Sequence, residues 1–259
     1  MARIGEASAI YLGEQVVSAA YMGDQLVWEQ PTEPSGVYDQ ENLIEQWHAA
    51  DASGAGEGQL VPAWAGHVNG MIATNETAGR QPHFFGGVQG LPALLFAGNV
   101  LNTPRFASPL ALTVYVKVCF ASAPAGTQTL ACQDEGGNAR SWHCGVNATN
   151  KARHVNFNNG VGGTTAAVAG APTVNTWQIV QITRNPSAEN KTGPMWAAHN
   201  GEESAEALAT NVLTSELYMS IGGRGAYSEM MNGYINEVRA YRSHHNASMR
   251  AIVRAEMGL

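Results

Sequence analysis

The stretch Thr113-Val114-Tyr115-Val116-Lys117-Val118-Cys119-Phe120 decides the fold class, because Val114, Val116, Val118 and Phe120 fall on every second position. A period of two places those four side chains on one face of an extended chain, the mark of a strand with that face in a core. The same alternation returns at Leu217, Met219 and Ile221, just ahead of Gly222-Gly223. In residues 177–183 apolar side chains occupy both phases, as expected of a strand covered on both sides or near its ends. Residues 233–241 change phase: Ile235 lies in one register, Val238 and Ala240 in the other, and a β-bulge between them returns all three to the core. Short strands of this kind, spaced by turn-forming clusters at 156–163 and 185–194, predict an all-β antiparallel sandwich. One helix is expected at the end. Asn246 stands at the capping position, Met249, Ile252, Val253 and Met257 follow helical spacing, and Gly258 sits at the stop position.

The composition agrees with a turn-rich chain that buries a real core. Of 259 residues, 44% are hydrophobic and only 14% charged, against about 25% charged in an average soluble protein. There are 29 glycines where average usage gives roughly 18. Lys plus Arg number 14 against 21 Asp plus Glu, a net charge of −7, which supplies no electrostatic footprint for nucleic acid or an anionic membrane. The apolar run at 91–97, interrupted by Pro92, falls far short of the roughly 20 residues that span a bilayer. Residues 1–10 lack the apolar stretch of a signal peptide, so synthesis in the cytoplasm is expected. Cys119, Cys132 and Cys144 form no C-x-x-C pair and read as buried free thiols.

Self-similarity marks the amino terminus: Tyr11-Leu12-Gly13-Glu14-Gln15-Val16-Val17 returns as Tyr21-Met22-Gly23-Asp24-Gln25-Leu26-Val27. In each copy Gly followed by an acidic residue stands between apolar positions, the pattern of a tight hairpin turn. Such short strands lack the apolar mass to stand alone, so residues 1–30 read as an anchoring hairpin module. Its expected contacts are Tyr11, Leu12, Tyr21, Met22 and Trp28. Pro31 and Pro34 among polar residues make 31–42 a linker, and 43–259 the main domain.

Several stretches carry a family resemblance. Leu43-Ile44-Glu45-Gln46-Trp47-His48-Ala49-Ala50-Asp51-Ala52-Ser53-Gly54, then Val61-Pro62-Ala63-Trp64, Gln81-Pro82 and Gly90-Leu91-Pro92-Ala93-Leu94-Leu95-Phe96-Ala97-Gly98 resemble the opening of concanavalin A-like (laminin-G-like) jelly rolls of bacterial and phage proteins. Trp177-Gln178-Ile179-Val180, Ile221-Gly222-Gly223 and the run Gly233 to Tyr241 before a short helix are similar to the close of the same fold. Ala97 stands where that family often has an acidic residue. The amino-terminal repeat is similar to short segments of tailed-bacteriophage tail and fibre proteins. Together these resemblances imply a jelly roll in a non-enzymatic bacteriophage virion structural protein of tail, fibre or particle decoration. The chain would be made in the host cytoplasm and located in the virion, as a homo-oligomer or in many copies. Its expected partners are other virion proteins and host surface polysaccharide. The alternatives kept beside this reading are a polysaccharide-degrading enzyme and a purely architectural protein without a ligand.

The chemistry expected of the residues is recognition. Glycoside hydrolases of this fold class carry a Glu-x-Asp-x-x-Glu strand, which the chain lacks. Glu202, Glu203 and Glu206 read as a solvated face and Glu237 as an acceptor for Arg239. His244-His245 find no further ligand at metal spacing, and no cofactor is expected; calcium is left open at Asp134 near Asn138. Ser141-Trp142-His143-Cys144 shows no orienting acid nearby, and Gly222-Gly223-Arg224-Gly225 reads as a strand end and turn. Sugars present apolar faces and hydroxyl rims, which rings flanked by amides and guanidinium groups match. The candidate glycan contacts are therefore Trp142 with Asn138 and Arg140, Trp196 with His199 and Asn200, and Arg224 with Tyr227, while Trp47, Trp64 and Trp177 are assigned to the core.

Overall fold

The computed structural model describes residues 10–12, 15–17, 19–22, 25–29, 38–52, 54–149, 151–158, 160–168, 171–224 and 228–258, with backbone alone for 10–29. The chain divides into two compact units, Met1–Tyr38 and Asp39–Leu259. In the first, β1 (Ile10–Leu12) pairs antiparallel with β2 (Gln15–Val17), and β3 (Ala19–Met22) with β4 (Gln25–Glu29). The registers Leu12↔Gln15 and Met22↔Gln25 leave two residues between the strands, as the repeat predicts. The side chains of Tyr11, Leu12, Tyr21, Met22 and Trp28 lie outside the described residues, as does 30–37 of the expected linker. The last linker residues belong to the second unit, where Asp39 accepts hydrogen bonds from Asn42 and Ser243.

The second unit runs through β5 (Leu43–His48), β6 (Ala63–Ala65), β7 (Ile72–Thr74), β8 (His83–Val88), β9 (Leu91–Ala97), β10 (Leu101–Ala107), β11 (Leu112–Phe120), β12 (Gln128–Asp134), β13 (Arg140–Val146), β14 (Ala152–Asn158), β15 (Val161–Ala167), β16 (Gln178–Arg184), β17 (Gly193–His199), β18 (Glu202–Glu203), β19 (Ala207–Ala209), β20 (Glu216–Ile221), β21 (Asn232–Tyr241) and α1 (Ala247–Glu256). Among the described residues these strands form an eight-stranded sheet, β15-β14-β13-β12-β20-β10-β7-β6, and a nine-stranded sheet, β18-β17-β16-β11-β21-β9-β8. In the second, β19 also lies on β17 and β5 on β21. The pairings between these strands are antiparallel, giving the all-β jelly-roll sandwich.

The core forms where the alternation predicts. Val114, Val116, Val118 and Phe120 meet Leu130, Trp142, Cys144, Met219 and Ile221 between the sheets, and Trp47 and Trp64 join them. Trp177, assigned to the core, instead sits half-buried ahead of β16 and donates its Nε1–H to the Val88 carbonyl. The bulge is present: Val118 faces Ile235 and Lys117 faces Glu237, so Asn236 is the extra residue and donates to Pro92 O at 2.8 Å. The helix starts where expected, with Met249 N–H donating to Asn246 Oδ1 at 3.0 Å. Its buried face is Arg250, Val253 and Met257 rather than a stripe including Ile252, which is 40% exposed. Helix α1 is held by polar contacts to the outer face of the nine-stranded sheet: Lys117 donates to Met257 O, Arg239 pairs with Glu256 and Arg250 with Glu203. The three cysteines are buried and free. Cys132 pairs in register with His143 and Cys144 with Ala131, so the two thiols do not face each other across the β12–β13 ladder.

Two polar groups are buried with unusual neighbours. Arg184, at the end of β16, is fully buried, and burial lowers its pKa to about 9. Its guanidinium donates to Asn156 Oδ1 at 2.8 Å, Pro109 O at 2.6 Å, Leu110 O at 3.2 Å and the hydroxyls of Ser108 and Ser141 at 3.3 Å, joining the two sheets. His154 lies fully buried on β14 and is held neutral, its pKa pushed down to about 3 by burial and then by the Arg184 charge. Burial likewise lowers His245 to about 4 against the opposing pull of Asp39.

Both values lie below the ordinary histidine value of 6.5. As pH falls below about 6.5 the unfolded chain binds protons that the folded chain refuses, so stability decreases toward about pH 4. Urea unfolding should show a lower midpoint at about pH 4.5 than at pH 7, with a smaller drop for His154→Gln. An unchanged midpoint would show that these imidazoles are not held neutral.

Candidate functional site

The outer face of the eight-stranded sheet gathers a network of charged groups. Leu130, Ala131, Trp142 and Cys144 point into the inter-sheet core. Their neighbours Cys132, Asp134 and His143 therefore face outward, and by the same alternation so do Tyr218 and Ser220 of β20. Residues 222–224 and 228–231 lie along this face: Gly222 N–H donates to Leu130 O at 2.8 Å, and Thr129 N–H to Glu229 O at 2.7 Å. Only glycine fits at the first turn, since residue 222 has φ +88 and a Cβ there would meet Phe96 Cδ1 at 1.9 Å.

Asp134 is fully buried, yet both its oxygens are engaged. Oδ1 accepts from Gly136 N–H at 2.7 Å and lies 3.4 Å from Arg140 Nε. Oδ2 lies 2.7 Å from His143 Nε2 and 3.0 Å from Arg224 Nε. Burial alone raises the carboxyl pKa, but the His143 hydrogen bond and charge, Gly136 and Arg224 together bring it below the usual range. Glu229 stands at the other ring nitrogen, with Oε2 3.7 Å from His143 Nδ1, a distance at which the contact is electrostatic rather than a hydrogen bond. Glu229 also pairs with Arg153 and accepts from Thr129 Oγ1 at 3.0 Å. His143 first, and then Arg153, outweigh burial and hold Glu229 at about 2. The imidazole thus lies between two carboxylates, and Phe157 closes one side with an edge contact at 4.9 Å.

The polar face continues outward. Glu135 pairs with Arg105 and accepts from Tyr218 N–H at 2.9 Å, and Ser220 Oγ donates to Asn102 Oδ1 at 2.8 Å. Beyond Asn102 lies an open depression of about 520 Å³ lined by Ile72, Thr74 and Glu76. A second depression, about 540 Å³, is bounded by Leu43, Met71, Phe106 and Arg242 and holds no such ion network.

Two of the expected glycan residues meet on this side, a third lies in the adjoining turn, and two lie elsewhere. Arg140 and Arg224 meet on Asp134, and Asn138 is exposed in the turn between β12 and β13. Trp142 is fully buried between the sheets, its Nε1–H donating to Gln133 Oε1 at 2.8 Å, so it is core and not a sugar platform. Trp196 lies on the outer face of the other sheet, half-buried against His244 at 5.6 Å, so it cannot share a site with Arg224. Of its expected companions, His199 is 9% exposed and bonded to Gln178, while Asn200 is exposed. Tyr227 lies outside the described residues. Asp134, weighed as a calcium ligand, is ringed by cations and N–H donors that repel one. His143 does have orienting acids, but Ser141 is committed to Ser108, Leu213 O and Arg184, so no nucleophilic triad forms. The residues missed from sequence are His143 as the hub, Glu229, Arg153, Arg105, Glu135 and Tyr218. Glu229 lies 76 residues from Arg153 and 100 from Thr129, so no local spacing marks it.

No known protein family matches the sequence, and no curated protein does. Solved structures do share the fold. A Trypanosoma rangeli sialidase, solved with 2,3-difluorosialic acid as a covalent intermediate, matches 85% of this chain at 13% identity and a TM-score of 0.56. The chain spans only 34% of that sialidase. Domain 4 of AbnA, a GH43 extracellular arabinanase from Geobacillus stearothermophilus solved with arabinotriose, matches 82% of this chain and 97% of its own length, at 14% identity and a TM-score of 0.51. At these identities the likeness is one of fold. The neighbours come from carbohydrate-acting proteins, and that overturns the expectation of a phage virion structural protein.

Asp134→Ala should cost roughly 3–5 kcal/mol by urea unfolding, because it leaves Arg140 and Arg224 buried at one edge without their counter-charge. Gly222→Ala should cost about 2 kcal/mol or more, from the strained φ and the clash with Phe96. A change below about 0.5 kcal/mol in either would remove that residue from the support of this face.

Proposed function

We propose that the Asp39–Leu259 unit is a carbohydrate-binding domain that holds a glycan on the outer face of its eight-stranded sheet and performs no bond chemistry. The observation that carries this reading is the pairing of the two carboxylates that flank His143 on that face. Glycoside hydrolysis needs one carboxyl group that keeps its proton near neutral pH. Asp134 and Glu229 are both held as anions, each by an arginine and by His143. They form a rigid floor rather than an acid and base pair.

Above that floor the face offers what a sugar needs. Tyr218 is half-buried with its ring on the outer side, opposite Arg105, whose side chain is 62% exposed. Asn138 and Arg140 reach solvent at one end and the depression beside Asn102 and Thr74 lies at the other. Anchored guanidinium and amide groups bind hydroxyls with little further ordering, while an open sheet face buries little of the ligand. The arabinanase domain supports the reading, since a unit of similar extent was solved with an oligosaccharide.

Isothermal titration against a panel of oligosaccharides, arabinotriose included, should show binding near millimolar, weakened about tenfold by Tyr218→Ala or Arg105→Ala with the fold intact. Reducing-end release should stay at background. Absence of binding across the panel, or cleavage abolished by changing Asp134 or Glu229, would overturn the proposal.

A further inference from the structure

The four arginines of the charged face divide into two kinds. Arg105 and Arg153 each give one terminal nitrogen, Nη2, to Glu135 and Glu229. Arg140 and Arg224 approach Asp134 by their Nε edges, at 3.4 Å and 3.0 Å, and among the described residues no acceptor meets their terminal nitrogens. Both Nε atoms are buried, yet the side chains keep 28% and 17% exposure, so the outer ends of both guanidinium groups face the surface. Phe157 lies under the Arg140 guanidinium at 5.7 Å and steadies it.

From this, and resting on the carbohydrate-binding reading above, we infer that Arg140 and Arg224 form a binding site for the carboxylate of an acidic sugar. A guanidinium group has donors only, so a pair with free ends calls for a ligand that supplies acceptors alone. A carboxylate does so in the plane of the fork, whereas a neutral hydroxyl rim mixes donors with acceptors. Charge favours the same ligand. Two arginines share one carboxylate, which leaves a net positive site even with His143 neutral, on a chain whose net charge is −7. Asp134 serves as the positioning residue: its two oxygens lie 3.4 Å and 3.0 Å from the two Nε atoms and draw both charges to one place, which lowers the ordering left to a ligand carboxylate. A sulfate ester presents the same anionic oxygens in tetrahedral array and is the natural competitor.

The test uses the full chain and trigalacturonate, its methyl ester and a sulfated galactan oligosaccharide, by isothermal titration at low and high salt. Trigalacturonate should bind, and weaken about tenfold as salt rises, while the methyl ester should bind about tenfold less tightly. Arg140→Gln and Arg224→Gln should each weaken trigalacturonate about tenfold. Arg140→Lys, which keeps the charge but not the fork, should also weaken it, and Trp196→Ala on the opposite face should not. Circular dichroism and melting curves establish which variants are folded. Equal binding of acid and ester, or folded arginine variants with unchanged binding, would overturn the site. Tighter binding of the sulfated chain would overturn the assignment to carboxylates. If neutral oligosaccharides bind and no acidic one does, this inference fails while the domain's carbohydrate reading stands; if no glycan binds, both fall.

Discussion

Strand β21 is the element on which the sandwich depends. It pairs with β11 along one edge and, along the other, with β9 through its first half and β5 through its second. Strand β20 does the same service in the facing sheet, between β10 and β12. Both central positions are therefore filled by the last sixth of the chain, and neither sheet has its full hydrogen-bond ladder until that segment arrives. The bulge at Asn236 follows from the same demand, because β21 must present Ile235, Val238 and Ala240 to the core while staying in register with strands on both sides.

The connection between these two central strands also builds the charged face. Gly222 turns the chain where a side chain would strike Phe96, and the returning segment brings Arg224 to Asp134 and Glu229 to Thr129, Arg153 and His143. Folding of the core and assembly of the site are thus one event. The site costs the core little, since its ions lie on the outer side of a sheet whose inner side stays apolar, apart from Gln133 and the Arg184 cluster.

The two buried charge centres illustrate opposite ways of holding an ion. Among the described residues Arg184 has no carboxylate partner; it is spread over carbonyls, hydroxyls and one amide, so its hydrogen bonding is satisfied while its charge is not. That is why burial lowers its pKa and why neighbouring His154 stays neutral. Asp134 is compensated by charge, with three cationic or ionisable partners around two oxygens. The first arrangement links the sheets; the second leaves donors over at the surface and so has something to offer a ligand.

The period-two runs at β11 and β20, the bulge in β21, the Asn246 cap and the two amino-terminal hairpins were all legible locally, because each rests on residues within a few positions of one another. Trp142 misled because its polar neighbours Asn138, Arg140 and His143 make the segment look like a loop, although alternation along β13 turns the indole inward. Ile252 misled in the reverse sense: helical spacing included it, but α1 lies on a polar sheet face and buries Arg250 beside Val253. By itself, then, the sequence determined an antiparallel sandwich with one capped helix, since backbone periodicity and turn chemistry are local. Only the tertiary structure decided which charges meet, because Asp134 with Arg224 and Glu229 with Arg153 join residues far apart in the chain, brought together by a strand order that no local pattern encodes.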